Sequence, residues 1–130
     1  MRVDRALPTP EARELLDLVS EMARDTLAPR APDAERAGQF PRDAFTMLGQ
    51  MGLLGLPYPE DHGGGGQPYE VYLQVIEELS RAWLTVGLGV SVHTLSCFAL
   101  ARYGTEAQRA RWLPELIGGE KLGAYCLSEP

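Results

Sequence analysis

At 130 residues the chain has the length of one domain and enough material to bury a real core. Twelve Lys+Arg against eighteen Asp+Glu leave a net charge of −6, which excludes nucleic acid and anionic membrane as main partners, since both require basic patches. The first sixteen residues, "MRVDRALPTPEARELL", lack an apolar signal core, so the expectation is a cytoplasmic chain whose Cys97 and Cys126 stay reduced.

Thr9-Pro10-Glu11 is a helix start: a capping hydroxyl, a proline in the first turn and a carboxylate near the positive end. Ala12, Leu15, Leu16, Val19, Met22 and Ala23 follow at i, i+3, i+4 spacing, and Pro29 ends the helix. "APDAERAGQF" holds one short helical turn. Pro41 opens the next helix, with Phe45, Leu48 and Met51 facing inward and Gly52 and Gly55 at its end. "LPYPEDHGGGGQP" is a loop. Gly63 to Gly66 are not a phosphate loop, because no lysine follows at the required spacing; they predict a turn with unusual backbone angles.

A long helix starts near Tyr69, with Val71, Tyr72, Val75, Ile76 and Leu79 inward and Glu77, Glu78 and Arg81 toward solvent. Adjacent carboxylates cannot share one helix face, so Glu77 and Glu78 read as solvated surface rather than an acid/base pair. Between Ala82 and Thr85 the polar face disappears, which predicts a bend into a second, more buried helix reaching Tyr103. Its stretch "AWLTVGLGVSVHTLSCFALA" is uncharged and long enough for a bilayer. Three hydroxyl residues before Leu95, together with Ser96, His93, Gly87 and Gly89, favour a helix buried on most sides of a bundle, with no membrane span. Gly104 caps that helix, and Thr105-Glu106-Ala107-Gln108 is a capping box for the next. There Trp112 and Leu113 point inward and Pro114 breaks the helix. No metal site is expected, and His93 reads as a core or pocket-edge histidine, because His62 lies far away in the glycine loop. Trp83 and Trp112 read as packing residues.

The fold class is therefore all-α: a helical bundle of five to six helices with a short C-terminal extended segment, "AYCLSEP". A lone strand leaves its backbone groups unpaired. It is either a frayed tail or the entry into a β-domain of a larger protein, and the residues alone leave both open.

Three segments, "FPRDAFTMLGQMGLLGLPYPEDHGGGG", "VIEELSRAW" and "YGTEAQRARWLPELIGGEKLGAYCLSEP", resemble in order the N-terminal helical domain of the acyl-CoA dehydrogenases. The resemblance runs from about Thr9 to Pro130 and is most specific in the last segment. It implies residues 1–123 as that helical domain and 124–130 as the first strand of a β-barrel domain, which a C-terminal four-helix bundle would follow. It implies FAD between the domains, an acyl-CoA substrate, and flavin reoxidation by an electron-transfer flavoprotein in a homotetramer or homodimer. The reaction implied is loss of a proton α to the thioester and of a hydride from the β carbon to flavin N5. The base is expected beyond Pro130, so no catalytic residue is assigned here and the chain alone is expected to be inactive.

For the cofactor the resemblance assigns the strand Tyr125, Cys126, Leu127 and Ser128. Tyr125, Leu127 and Ser128 would face the flavin and Cys126 would alternate away, with the Ser128 hydroxyl at the edge where hydride transfer develops charge. For the acyl tunnel it assigns Gly87, Ser91 and Leu95. Two alternatives remain: a flavin monooxygenase or nitroalkane oxidase on the same fold, and a stand-alone helical interaction module.

Overall fold

The computed structural model describes residues 4–128. The capping hydroxyl of Thr9 accepts a hydrogen bond from the Ala12 amide at 3.1 Å, and α1 (Pro10–Met22) follows with Ala12, Leu16 and Val19 buried. The helix then widens into a π-turn over Ala23–Leu27, closed by the Ala28 amide on the Ala23 carbonyl at 2.9 Å, before Pro29. The wider turn places both Ala23 and Leu27 in the core.

α2 (Ala31–Ala37) is longer than the single turn expected and buries nothing of its own. It is fastened instead by Glu35, which accepts from the Trp83 indole at 2.6 Å and the Thr85 hydroxyl at 2.5 Å. Those two donors, Thr85 first, hold the Glu35 carboxyl below the ordinary range. α3 (Arg42–Gln50) buries Phe45 and Leu48, while Met51 is exposed rather than inward. The chain then passes through 3₁₀ turns at Leu53–Gly55 and Glu60–His62. Gly63 and Gly66 take positive φ (84° and 59°), as the four-glycine run requires.

α4 (Tyr69–Ala82) and α5 (Leu84–Tyr103) form the central pair, broken at Trp83, whose φ of −155° and ψ of 103° leave the helical region. α6 (Glu106–Ile117) begins with the capping box, Gln108 amide to Thr105 hydroxyl at 3.2 Å and Thr105 amide to Gln108 side chain at 2.8 Å. The larger core joins α1, α3, α4 and the first half of α5; a smaller cluster of Tyr58, Cys97, Leu113 and Ile117 ties α6 to the second half of α5. The expected all-α bundle is present, with six α-helices and no strand among the described residues.

Four further expectations change in the structure. Pro114 lies inside α6, which continues to Ile117 because Leu113 and Ile117 on either side are buried. Trp112 is 40 % exposed, its ring flanked by Arg111 and Lys121 at 4.8 and 4.7 Å. Glu78 is buried rather than solvated: the Arg5 guanidinium reaches over α4 to Glu78 at 2.5 Å and Glu77 at 2.8 Å, and Arg81 adds a contact to Glu78 at 3.2 Å. Finally, α5 is not buried on most sides. Val86, Val90, His93 and Cys97 face the bundle, but Leu84, Leu88, Leu95 and Phe98 stand 49–69 % exposed along the opposite face.

Candidate functional site

Among the described residues two clefts flank α5. The first, of about 660 Å³, opens between α5, the start of α4 and the Pro57–Pro59 loop. Ser91, Leu95 and Phe98 supply its α5 wall, and Tyr58, Tyr69 and Tyr72 the opposite one. Tyr58 is fixed by donating its hydroxyl to the Thr94 carbonyl. Burial, the main cause for both, raises the phenols of Tyr58 and Tyr72 above their ordinary value, so these two stay uncharged. The second cleft, of about 430 Å³, lies on the other flank, between α5, α3 and residues 122–124, with Phe45, Leu88, Val92 and His93 among its walls. Gly89 makes room there: a Cβ on it would sit 2.4 Å from the Phe45 ring. Neither lining includes an Asp or Glu, so neither offers a carboxylate base.

The structure brings Ser91 and Leu95 to one cleft wall and places Gly87 elsewhere. Gly87 is buried in the α4–α5 seam, where a Cβ would lie 2.0 Å from the Ser80 hydroxyl and 2.8 Å from its backbone. Its role visible here is close helix approach, because the i, i+4 step rotates about 40° per turn away from a straight line. The aromatic half of the cleft, Tyr58, Tyr69, Tyr72 and Phe98, escaped the sequence reading. The signals were present as Tyr69 and Tyr72 at i, i+3 and Phe98 one turn beyond Leu95, but aromatic pairs at that spacing also describe ordinary core.

Residues 122–128 follow α6 outside any helix. Tyr125 is 61 % and Leu127 69 % exposed, Cys126 and Ser128 are exposed as well, and the backbone groups of 125–128 have no hydrogen-bond partner among the described residues. Glu129 and Pro130 lie outside those residues. The two thiols are free, Cys97 buried and Cys126 exposed. Burial pushes the Cys97 thiol up to about 12. No cluster of metal-ligating side chains occurs among the described residues.

His93 lies under the exit segment, 1 % exposed. Its Nε2 is 2.9 Å from the Leu116 carbonyl, and its Nδ1 accepts from the Gly123 amide at 2.9 Å. This is the satisfied histidine that the sequence suggested. Burial, partly offset by the Leu116 carbonyl, lowers its basicity, and the Arg42 charge lowers it further.

Residues 9–120 match the acyl-CoA dehydrogenase N-terminal domain. The mitochondrial isovaleryl-CoA dehydrogenase of Pongo abelii is 40 % identical over 123 residues, covering 92 % of this chain and 29 % of that protein. The structure of butyryl-CoA dehydrogenase from Megasphaera elsdenii superposes with a TM-score of 0.87 at 29 % identity, over 98 % of this chain and 34 % of that one. A chain in the structure of the electron transferring flavoprotein of Acidaminococcus fermentans superposes with a TM-score of 0.89, also at 29 % identity, over 98 % of this chain and 34 % of that one. The chain thus spans about a third of the length of the relatives it matches. On the match over residues 9–120, this chain belongs to the acyl-CoA dehydrogenase family, as its N-terminal helical domain.

Proposed function

We propose that these residues serve an FAD-dependent α,β-dehydrogenation of acyl-CoA thioesters, in a protein that also carries the β-barrel and C-terminal helical domains of the family. The observation that carries the reading is the pairing of two features along α5. One is an apolar cleft walled by Ser91, Leu95 and Phe98, suited to an acyl chain. The other is the segment Tyr125–Ser128, exposed and with its peptide groups unpaired among the described residues. Such a segment fits a flavin: its backbone N–H groups and the Ser128 hydroxyl can donate to the ring edge, and Tyr125 and Leu127 can cover apolar surface. Bound there, FAD would supply the hydride acceptor. The residues present would orient the ring, shield it from water and stabilise charge on its pyrimidine edge.

On this reading residues 1–123 form the helical domain and 124–130 begin the β-domain. Gly87 would act on the acyl tunnel only through the helix packing it allows, and Cys126 would face away from the ring. The partner for reoxidation is an electron-transfer flavoprotein, the assembly is a homodimer or homotetramer, and the location is cytoplasmic. The base lies outside these 130 residues.

The test is to express the complete gene product containing these residues and titrate its flavin absorbance with isovaleryl-CoA and butyryl-CoA under anaerobic conditions. Bleaching by a thioester supports the proposal. A flavin that no thioester bleaches, but that a nitroalkane reduces, would replace it with the oxidase reading. In the same protein Ser128→Ala is expected to slow flavin reduction roughly tenfold to thirtyfold, since one donor among several acts on delocalised charge. An unchanged rate removes Ser128 from the flavin edge.

A further inference from the structure

The stretch between α6 and Tyr125 is laid onto the bundle by close backbone contact beside one partly buried side chain, Leu122, which packs on the main core. At Gly49 on α3 a Cβ would meet the Gly118 carbonyl oxygen at 2.2 Å, and at Gly123 a Cβ would meet the Ser96 Cβ at 2.4 Å. Arg42 then grips the Gly119 and Glu120 carbonyls at 2.7 and 2.9 Å. Beyond that turn two polar groups on successive residues receive bonds from α5 or give them to it. The Gly123 amide donates to His93 Nδ1 at 2.9 Å, and the Ser96 hydroxyl donates to the Ala124 carbonyl at 3.1 Å.

We propose that His93 is the positioning residue for the segment carrying Tyr125–Ser128: with its proton on Nε2 it receives the Gly123 amide and, with Ser96, sets the course on which the chain leaves α5. The two ring contacts fix the tautomer independently. A proton on Nδ1 would face the Gly123 N–H, donor against donor, and a bare Nε2 would face the Leu116 carbonyl, acceptor against acceptor. The Cys97 sulfur, 3.5 Å from Nε2, is a weak additional neighbour that does not change this. The ring thus ties the last turn of α6 to the exit segment through one side chain on α5. That the segment so delivered meets a flavin rests on the function proposed above; that His93 steers it does not.

The experiment uses the 130-residue chain labelled with ¹⁵N. The His93 ring is expected to show an unprotonated Nδ1 and a protonated Nε2, and the Gly123 amide to exchange slowly. His93→Asn keeps an acceptor near the Nδ1 position and is expected to retain Gly123 protection. His93→Gln keeps a donor near Nε2 only, and with His93→Leu is expected to lose protection by roughly tenfold or more, while amides in the middle of α5 hold. A proton found on Nδ1, or Gly123 protection that survives in His93→Leu, overturns the proposal. So does His93→Asn losing as much as His93→Gln. If His93→Leu does not fold, the tautomer of the unmutated chain still decides. A complete gene product without flavin, in which the tautomer and the protection pattern are intact, removes only the cofactor from the picture.

Discussion

α4 and α5 are consecutive helices joined through one residue, yet they solve opposite problems. α4 carries a regular buried stripe of Val71, Val75 and Leu79, and of its charged residues only Glu78 lies on that face, neutralised there by Arg5. α5 between Leu84 and Ala101 has no formal charge at all, and it still leaves four large apolar side chains in the open. Periodicity marks where a helix meets its own bundle. Uniform apolarity marks a helix that has more to meet than its own bundle supplies. α5 has the length and composition of a membrane span, but its Val86, Val90 and Cys97 face is packed as a core helix is.

The sharpest way to break this contrast is thiol chemistry, because Cys97 sits on the buried face of α5 and Cys126 on the exposed exit segment. With its thiol pushed up to about 12, Cys97 holds a negligible thiolate fraction near neutrality. Alkylation of the folded chain is expected to modify Cys126 alone, and Cys97 slower by roughly three orders of magnitude or more, until denaturant is added. Equal labelling of both in the native state would show that the α5 core face is not closed.

Next in size is truncation. Leu79→Ala, in the main core, is expected to cost about 2–5 kcal/mol in urea unfolding. Leu88→Ala, on the open face of α5, is expected to stay within about 0.5 kcal/mol in the same chain. If Leu88→Ala costs as much as Leu79→Ala, the face is covered, by a second copy or by a rearrangement, and the contrast fails. Smaller again is the ion cluster on α4. Glu78→Ala is expected to cost about 1–3 kcal/mol, because it strips Arg5 and Arg81 of a buried partner. Glu77→Ala, whose carboxylate is half exposed, is expected to stay within about 0.5 kcal/mol. Equal losses would mean that Arg5 treats the two carboxylates alike.

These contrasts also mark how far the sequence could be read. Caps and local periodicity were legible: Thr9 and the Thr105 box cap as expected, and Trp83 is the predicted break. What escaped is set by residues distant along the chain. Glu78 is buried because Arg5, 73 positions earlier, folds over it, and no helical pattern encodes that partner. Pro114 costs α6 one backbone donor, but the burial of Leu113 and Ile117 outweighs a local breaker. The resemblance singled out Ser91 and Leu95, which line one cleft, whereas the tyrosine wall opposite them depends on how the Pro57–Pro59 loop lies against α4.

The smallest expected effect concerns acid. His93 has its folded-state pKa lowered from 6.5, through burial first, then through Arg42, with only the Leu116 carbonyl opposing. Tyr58 and Cys97 nearby are uncharged across the neutral range, so Arg42 is the charge that matters. A group whose pKa is depressed on folding binds its proton more readily when unfolded. Its contribution is therefore fully present above about pH 6.5 and is lost as pH falls through the folded value. The loss for one such group cannot exceed about 1.4 kcal/mol per pH unit. Protonation also places an N–H on Nδ1 against the Gly123 amide, so the exit segment is expected to loosen before the bundle does. Urea midpoints and Gly123 exchange followed from pH 7.5 to 5 provide the check. Protection of Gly123 is expected to fall while α4 amides stay slow, and His93→Asn, which has no proton to gain in this range, is expected to abolish the fall. Were His93 to titrate at or above 6.5, or Gly123 and α4 to open together, the histidine would be a core residue with no separate hold on the segment.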